Sequence, residues 1–402
     1  MARQTTVVSL ATIGGSLVAG GNMGIAGGAI AGSVARWDGS HWSGLGSGYG
    51  PFGAVTAIVE YGGSLVAGGD FTTADGIPTR HIARWDGSAW SALGSGLSGG
   101  DSTVDALAVY DGALIAAGSF MNAGGVPVSG VARWDGTGWS ALGSGVQGRV
   151  YCVAVHGGYL VAGGTFATAG AVPVNRIARW DGSAWSAMGA GAGGDVTALT
   201  VWNGDLYAGG ALALGTYAAR WDGSVWWSLP GGTPNGLVWA LAGDGGTLFA
   251  GGGFTAAGGN PAWYIARYDG NVWSGLGPGL ASDILCPAVG SNPWCSPARA
   301  LATYGGALYV GGTFYLAGGK PSSSIARWAD PVVGVAPPGA LPDAGGRPHL
   351  LPPSPNPSVG STVLTFDLPQ ESRVRILVHD LRGALVRVVL AEQRPAGTHR
   401  IA

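Results

Sequence analysis

The sequence predicts an all-β fold, a seven-bladed β-propeller with four-stranded antiparallel blades, followed by a small separate β domain. Two observations carry this prediction. The chain of 402 residues contains 78 glycines and 17 tryptophans, and residues 1–332 repeat one unit seven times. Glycine inside a helix costs roughly 0.5–1 kcal/mol relative to alanine, so the composition disfavours a helical fold, and no Gly-X-Y period indicates collagen.

Each repeat is marked by one arginine in a motif such as Ile-Ala-Arg-Trp-Asp-Gly, and the markers are 48, 49, 46, 41, 47 and 60 residues apart. The segment IARWDGSAWSA occurs unchanged at residues 82–92 and 177–187. A period of roughly 40–50 residues is typical of propeller blades, in which radial repetition leaves only short sheet edges. The seven markers are Arg36, Arg84, Arg133, Arg179, Arg220, Arg267 and Arg327.

One unit, residues 150–189, contains four short runs rich in β-branched or aromatic residues: VYCVAVHGG, YLVAGGTF, RIARWDG and AWSAMG. These runs have the length and composition of strands. Asp-Gly between the last two predicts a hairpin, since both residues tolerate the positive φ of a tight turn. We expect Asp86 and Asp181 to form these turns by accepting backbone N–H bonds.

The pattern AGG…IARWDG..WSALGSG resembles the kelch repeat and, more closely, the repeats of fungal Rax2-type cell-polarity landmark proteins and of bacterial secreted proteins. The resemblance covers about residues 1–332. It implies that the first strand of each unit lines a central channel and that the strand WSALG is outermost. It also implies that the Gly-Gly pair permits close backbone approach, and that tryptophan pairs fill the space between blades: Trp85 with Trp90, and Trp180 with Trp185.

Several repeats depart from the pattern. Ala117 replaces the first glycine of the third unit, the loop before Arg220 is short, and Tyr268 replaces a tryptophan. In the seventh unit Ala329 stands where Asp is expected, and no tryptophan follows. We expect PVVGV at residues 331–335 to supply the outer strand of the last blade, in preference to a strand from the N-terminus.

The repeat pattern stops after residue 332. Residues 333–350 have the proline and glycine density of a stiff linker, and residues 351–402 alternate apolar and polar positions over three or four strands. PNPS, TFDLP, VRILVHDLRGALVR and AGTHRIA resemble the FlgD-type immunoglobulin-like domain and the C-terminal sorting domains of the type IX secretion system. The family pattern continues further, so we expect an incomplete Ig-like sandwich.

The composition of the chain limits the classes of partner that we expect. Only 10% of residues are charged, the net charge is −2, and the single lysine is Lys320, so the basic stripe that nucleic acid requires is missing and no nucleic-acid partner is expected. Residues 7–35 carry no charge, but SLVAGG at 16–21 aligns with SLVAGG at 64–69. We therefore interpret residues 7–35 as part of the first repeat and not as a signal peptide or a membrane span, and no export signal is visible. We expect a monomer without cofactors.

Cys286 and Cys295 lie in the insertion that lengthens the last spacing. A disulfide there would contribute on the order of 2–3 kcal/mol and indicate an oxidising compartment, with two free thiols as the alternative. A metal site is disfavoured, because the pair lacks further ligands. We expect the third cysteine, Cys152, to be a buried small hydrophobe.

The marker arginines and the histidines are the other candidate functional residues. Burial between blades would require each marker arginine to pair with the Asp of its own or an adjacent hairpin; the alternative is a ring of exposed arginines that binds an anion. The six histidines share no spacing with one another or with acids, and no Cys-Tyr-His copper constellation is apparent. The pattern therefore predicts no metal and no catalytic residue.

The sequence favours a non-enzymatic, secreted or bacterial cell-surface propeller that binds a protein or glycan partner through long loops such as residues 167–175 and 94–103. The alternatives are a glycan hydrolase or lyase that uses channel residues, and a structural or adhesive surface protein. No pair of carboxylates stands out for glycoside hydrolysis. Trp202, Trp239 and Trp263 are the candidate binding residues; exposure would favour glycan binding, and burial would place them in the core.

Overall fold

The computed structural model describes residues 5–26, 28–46, 50–51, 53–282, 297–328, 349–350, 364–368, 371–379 and 385–401. The chain divides into two compact units, Met1–Trp328 and Ala329–Ala402.

The first unit is built from antiparallel sheets, which we number 1 to 7 in chain order. Sheets 1 to 6 have four strands each, and sheet 7 has three within the described residues. The predictions of an all-β fold and of four-stranded antiparallel sheets are confirmed. The strands are Thr6–Ile13, Ser16–Asn22, Val34–Trp37 and Trp42–Gly44 in sheet 1; Val55–Tyr61, Ser64–Gly69, Ile82–Trp85 and Trp90–Ala92 in sheet 2; Val104–Tyr110, Ala113–Gly118, Val131–Trp134 and Trp139–Ala141 in sheet 3; Val150–His156, Tyr159–Gly164, Ile177–Trp180 and Trp185–Ala187 in sheet 4; Asp195–Trp202, Asp205–Ala211, Ala218–Trp221 and Trp226–Ser228 in sheet 5; Val238–Asp244, Thr247–Gly252, Ile265–Tyr268 and Trp273–Gly275 in sheet 6; and Ala300–Tyr304, Ala307–Gly311 and Ile325–Trp328 in sheet 7.

The sheets form a closed ring. The first strand of each sheet contacts the first strand of the next, and the first strand of sheet 7 contacts that of sheet 1. Two hydrogen bonds join the ends of the ring: Val7 N–H donates to the carbonyl of Gly312 at 3.3 Å, and the Ser324 hydroxyl donates to the carbonyl of Thr5 at 2.7 Å. Sheets stacked radially around a closed ring of first strands are the arrangement of a β-propeller.

Except in sheet 5, the loop between the second and third strands forms a short hairpin, and three of these hairpins add a short strand that follows the fourth strand of the preceding sheet. We call the face of the ring that carries these loops the loop face. The first strands begin at this same face, because they run antiparallel to the second strands that end there. The short strands are Ile25–Ala26 with Ala29–Ile30; Thr73–Ala74 with Ile77–Pro78; Leu97–Ser98, Asn122–Ala123 and Val126–Pro127; Val146–Gln147, Thr168–Ala169 and Val172–Pro173; Ala256–Ala257 with Asn260–Pro261; and Leu280–Ala281, Leu316–Ala317 and Lys320–Pro321.

The Gly-Gly pair near the end of the second strand, which is Ala-Gly in sheet 3, makes two different close approaches. In sheet 4, a Cβ on Gly163 would lie 2.5 Å from a methyl group of Val196 in sheet 5. A Cβ on Gly164 would overlap the backbone carbonyl of Arg149, which directly precedes the first strand of the same sheet. The second contact follows from a β-bulge, since the pairing register of the first strand shifts between Val150 and Cys152.

In sheets 2, 3, 4 and 6, the tryptophan that begins the fourth strand donates its indole N–H to a backbone carbonyl of the preceding repeat. In sheet 4, Trp185 is 5% exposed and its indole N–H donates to the carbonyl of Leu142 in the preceding repeat at 2.9 Å. Its ring lies 5.5 Å from that of Trp180, and both pack with Leu142 and Phe166 in one buried cluster. Sheets 2 and 3 repeat this bond, from Trp90 and Trp139 to the carbonyls of Leu45 and Leu93.

A cavity lies between sheets 7 and 1 among the described residues. Met23, Trp42 and Ile325 line this cavity, which has a volume of about 290 Å³. The corresponding space at the junction of sheets 2 and 3 is filled by Leu93, from the outer edge of sheet 2. Residues 331–335, which the sequence predicts to complete sheet 7, lie outside the described residues and stay a prediction.

The second unit shows two small antiparallel sheets within its described residues. His349–Leu350, Leu364–Leu368 and Gly397–Ile401 form one, in the order in which they are named. Ser372–His379 pairs with Leu385–Arg394 in the other.

Candidate binding site at the mouth of the channel

One position in the first strand of sheets 1 to 6, and directly before that of sheet 7, carries a side chain whose chemistry varies from repeat to repeat. It is the residue immediately before the one that pairs with the first residue of the Gly-Gly landmark, as Asp105 precedes Ala106, which pairs with Ala117. In sheets 1 to 6 it is the bulged residue, so its side chain is released from the regular alternation of the strand. We call these seven residues the channel ring: Val8, Thr56, Asp105, Tyr151, Thr197, Trp239 and Arg299.

An ion pair joins two sheets at this ring. Arg149 donates to Asp105 through Nε and Nη2, both at 2.7 Å, in the bidentate geometry that makes such bonds strong. Burial raises the pKa of Asp105, although the bonds from Arg149 oppose the rise, and the bond from Asp105 raises the pKa of Arg149. Both pKa values are raised, which disfavours the charged form of Asp105 and favours the charged form of Arg149. Burial dominates at the carboxylate because it is the more buried partner, with 10% of its side chain exposed against 33% for Arg149.

A second guanidinium lies in the ring on an aromatic face. Arg299 of sheet 7 stacks over the indole of Trp239 in sheet 6, with 4.6 Å between its central carbon and the ring centroid. Burial lowers the pKa of Arg299 to about 10, and the charge of Asp105 opposes this shift. Asp105 and Arg299 belong to the repeats of sheets 3 and 7, which are not neighbours, and each occupies the channel-ring position of its own repeat.

Two other ring members have structural bonds. The Thr56 hydroxyl donates to the carbonyl of Val104, and the Thr197 hydroxyl donates to the carbonyl of Val238, in each case reaching the first strand of the next sheet. These hydroxyls hold adjacent first strands together. The neighbouring Cys152 is buried, and burial raises the pKa of its thiol, which leaves it protonated and unreactive at neutral pH.

The three candidate tryptophans lie in different environments. Trp202 is 5% exposed and packs between Tyr207 and Tyr268, so it belongs to the core. Trp239 is half-buried in the channel ring. Trp263 is 50% exposed in a long loop of the loop face, where its ring lies 6.3 Å from that of Tyr264.

Sequence reasoning missed four residues of the site: Asp105, Arg149, Tyr151 and Arg299. The sequence nevertheless contains a pattern that could have identified most of them. When the repeats are aligned on the Gly-Gly landmark, the flanking valines and alanines recur, whereas the channel-ring position changes chemistry in nearly every unit. That variation at a fixed position in a repeat indicates a display surface.

The expected burial of the marker arginines between blades is wrong. Arg84 is exposed and lines an open groove between sheets 2 and 3 with Glu60, Tyr61 and Val109, because neighbouring sheets diverge away from the central channel. Its Nη2 donates to the Ser64 hydroxyl at 3.0 Å, where the sequence predicts an Asp of a hairpin.

The other markers occupy the same position in their own sheets, where Arg133 and Arg179 are half-buried and the rest are exposed. Arg220 pairs with Asp205, at the hairpin between the first two strands of its sheet, with 2.9 Å between Nε and Oδ2. The structure does not gather the markers into an anion-binding ring.

The Asp-Gly hairpins are held by the aspartate side chain. Oδ1 of Asp86 accepts hydrogen bonds from the backbone N–H groups of Ala89 and Ser88 and from the Ser88 hydroxyl, at 2.8–2.9 Å. These bonds lower the pKa of Asp86 to about 2. The equivalent turns at Asp38, Asp135, Asp181, Asp222 and Asp269 lower the pKa of their carboxyl groups in the same way.

These turns predict a shared acid sensitivity. The folded pKa lies below the ordinary value of 3.8, so the turns stabilise the fold above about pH 5, and that stability is lost as pH falls through 3.8 toward 2. We expect the urea midpoint to fall between pH 5 and pH 2.5, and to fall less in Asp86→Asn, whose amide oxygen accepts the same bonds without titrating. Equal acid losses in the two proteins would contradict this assignment.

The described residues contain no group of three or more His, Cys, Asp and Glu side chains that could hold a metal ion. Within the same residues, no helix has the length and hydrophobicity needed to cross a membrane. Cys286 and Cys295 lie outside the described residues, so their disulfide stays a prediction.

Comparison with solved structures returns matches of low sequence identity. A computationally designed protein, Ika8, is 16% identical with a TM-score of 0.49, covering 82% of this chain and 97% of that one. The WD40 β-propeller domain of Doa1 is 14% identical with a TM-score of 0.49, covering 80% and 92%. A catalytically inactive virginiamycin B lyase from Staphylococcus aureus, in a structure with quinupristin, is 12% identical with a TM-score of 0.48, covering 78% and 94%. No protein-family model and no curated protein matches the chain.

Proposed function

We propose that this β-propeller is a non-enzymatic binding module that takes a glycan on its loop face. The observation that carries the proposal is the channel ring, which places side chains of differing chemistry at one end of a repetitive scaffold. Repeats that serve only as a scaffold need no such variation. A propeller leaves this position free to vary, because the bulged residue projects away from the packed sheet faces.

The exposed aromatic residues favour a glycan. Trp263 projects from a long loop, and Trp239 and Tyr151 are half-buried in the channel ring on the same face. Sugars present flat apolar faces edged by hydroxyl groups, so sites that bind them combine aromatic rings with a few placed polar groups. An Asp-Arg pair beside aromatic rings has this composition.

The Asp105–Arg149 bond argues against glycoside hydrolysis at this place. A general acid must give up its proton to the glycosidic oxygen, and a general base must reach a water molecule. Both oxygens of Asp105 already accept bonds from Arg149. The carboxylate is therefore held as a structural and electrostatic group.

The finer assignments belong to this proposal. We propose that sheet 7 is a full seventh blade, that the repeats are of the kelch-like or Rax2-like type, and that residues 351–402 form an Ig-like sorting domain. We also propose that the protein acts as a monomer outside the cytoplasm. Support comes from the motifs in the repeats, from the resemblance of the C-terminal segment, and from the spacing of Cys286 and Cys295 in an insertion.

A glycan and cell-envelope-polymer array probed with the full chain tests the function. We expect saturable binding to one saccharide class, weakened roughly tenfold or more by Trp263→Ala, because a stacked aromatic contributes a large share of such an interface. Trp227→Ala is the matched control, since Trp227 is 59% exposed on the fourth strand of sheet 5, away from the loop face. Turnover of pooled polysaccharides, or binding only to proteins, would overturn the proposal.

A further inference from the structure

We propose that the site at the mouth of the channel is selective for neutral saccharides, and that Arg149 binds their hydroxyl groups while Asp105 compensates its charge. This inference rests on the proposed function, because it names the ligand class of the same site. It adds a chemical selectivity that exposed aromatic residues alone would not provide, since aromatic faces accept neutral and charged sugars alike.

The first step concerns the hydrogen-bond donors that Arg149 offers. A guanidinium carries five N–H donors in one plane. The described hydrogen bonds of Arg149 use Nε and Nη2, and both go to Asp105 at 2.7 Å. The two N–H groups of Nη1 are left for a ligand, and 33% of the Arg149 side chain is exposed against 10% for Asp105. Arg149 is therefore the member of the pair that can donate to a ligand, and it does so without giving up Asp105.

The second step concerns the position in which this guanidinium is held. Its two bonds to Asp105 fix its plane, and its central carbon lies 5.2 Å from the centroid of the Tyr151 ring. A group held in this way loses little conformational entropy when it binds, so its donors compete well with water for a hydroxyl oxygen. Neighbouring hydroxyl groups on a sugar ring present two such oxygens side by side. The guanidinium of Arg149 therefore fits a pair of hydroxyl groups on one sugar.

The third step concerns charge. The charged side chains around Arg149 are engaged within the chain: Asp105 with Arg149, Asp195 with Arg176 at 3.5 Å, and Arg299 over the ring of Trp239 and with a further partner. Asp101 also influences Asp105, but it is exposed, and solvent and salt screen such a charge. A charged sugar would meet a like charge beside each opposite one and would lose its hydration without gaining a free counter-ion. Hydroxyl groups need no counter-ion, so the site favours a neutral ligand.

The test uses the full chain and calorimetry with three matched pairs of probes. Cellotriose, mannotriose and galactotriose are the neutral probes, and each is compared with the trisaccharide of the corresponding uronic acid. We expect at least one neutral trisaccharide to bind roughly tenfold or more tightly than its acid. Its affinity should change by less than about twofold between about 50 and 500 mM salt, because no net charge is neutralised on binding.

Two variants separate the roles of the pair. Arg149→Gln removes the planar donors, so we expect the neutral trisaccharide to bind roughly tenfold more weakly. Asp105→Asn leaves the charge of Arg149 uncompensated, so we expect the uronic acid to bind roughly tenfold more tightly than it binds the unaltered protein, and this gain should be lost in high salt. Loss of packing alone would not produce such a gain. Asp101→Asn removes an exposed carboxylate nearby and is the matched control, with changes of less than about twofold expected.

Several outcomes separate this inference from the proposed function. Equal or tighter binding of the acids, or no binding of any of the three neutral trisaccharides, would overturn the neutral selectivity while leaving glycan binding intact if Trp263→Ala still weakens it. An unchanged affinity in Arg149→Gln, or no gain of acid binding in a folded Asp105→Asn, would overturn the roles given to these residues. If the variants do not fold, the comparison of neutral and acidic probes in the unaltered protein, with its response to salt, decides the question. No binding of any saccharide on the array would overturn the proposed function itself.

Discussion

Replacing Trp185 by alanine is expected to lower the free energy of unfolding by about 3–5 kcal/mol, the range for deleting a buried aromatic ring. Trp185 is 5% exposed between sheets 3 and 4, and its indole donates to the carbonyl of Leu142. The change would leave a cavity between two blades and remove the partner of a buried carbonyl. Denaturation of the full chain, followed by tryptophan fluorescence and circular dichroism, measures this loss.

The matched control is Trp227→Ala. Its ring is 59% exposed, and the indole donates to Asp222 at the surface, so we expect a cost below about 1 kcal/mol. Similar losses in the two variants would mean that tryptophan packing between the sheets is not what holds them together. Trp185→Phe, which keeps most of the apolar area and loses the N–H bond, should fall between them.

Gly164→Ala is expected to destabilise the protein by about 1–3 kcal/mol, although alanine is only one methyl group larger. The added Cβ would overlap the carbonyl of Arg149 and lie 3.0 Å from the Cα of Val150, both backbone groups that cannot rotate away. Relief requires the bulge to move, and the bulge presents Tyr151 and follows Arg149 directly. We therefore expect weaker saccharide binding as well as a lower denaturation midpoint.

Gly138→Ala makes the same change where a Cβ would meet nothing within 4 Å. Alanine already stands at the equivalent places in other repeats, as Ala89 and Ala184. We expect Gly138→Ala to be neutral or to stabilise the protein by up to about 1 kcal/mol, because alanine reduces the freedom of the unfolded chain. A midpoint for Gly164→Ala equal to that of Gly138→Ala would refute the close approach.

The repeated features of the fold were readable from the sequence because they depend on local chemistry. The strands of each blade follow from runs of β-branched and aromatic residues, and Asp86 and its equivalents form turns through bonds to residues two and three positions ahead. Because the unit is repeated, the same local structure is expected in every blade. The glycine pair indicates a close contact that recurs from unit to unit.

The site was harder to predict because its members are far apart in sequence. Asp105 and Arg149 lie in different repeats, and Arg299 comes much later still, so no spacing or motif links them. The prediction that the marker arginines are buried was wrong for the opposite reason, because these residues are regularly spaced. Their regularity indicated a buried structural role, but the sheets diverge around the ring, and Arg84 reaches solvent in the groove that this leaves.

The sequence by itself determined the blade: its strands, its turns, its glycine pair and the tryptophan that reaches the neighbouring blade. These depend on residues close together or on the unit that is repeated. Only the tertiary structure decided which positions meet in the channel, because closing the ring brings the bulged residues of separate sheets to one place. The stacking of Arg299 on Trp239, which joins sheets 6 and 7, likewise arises from that closure.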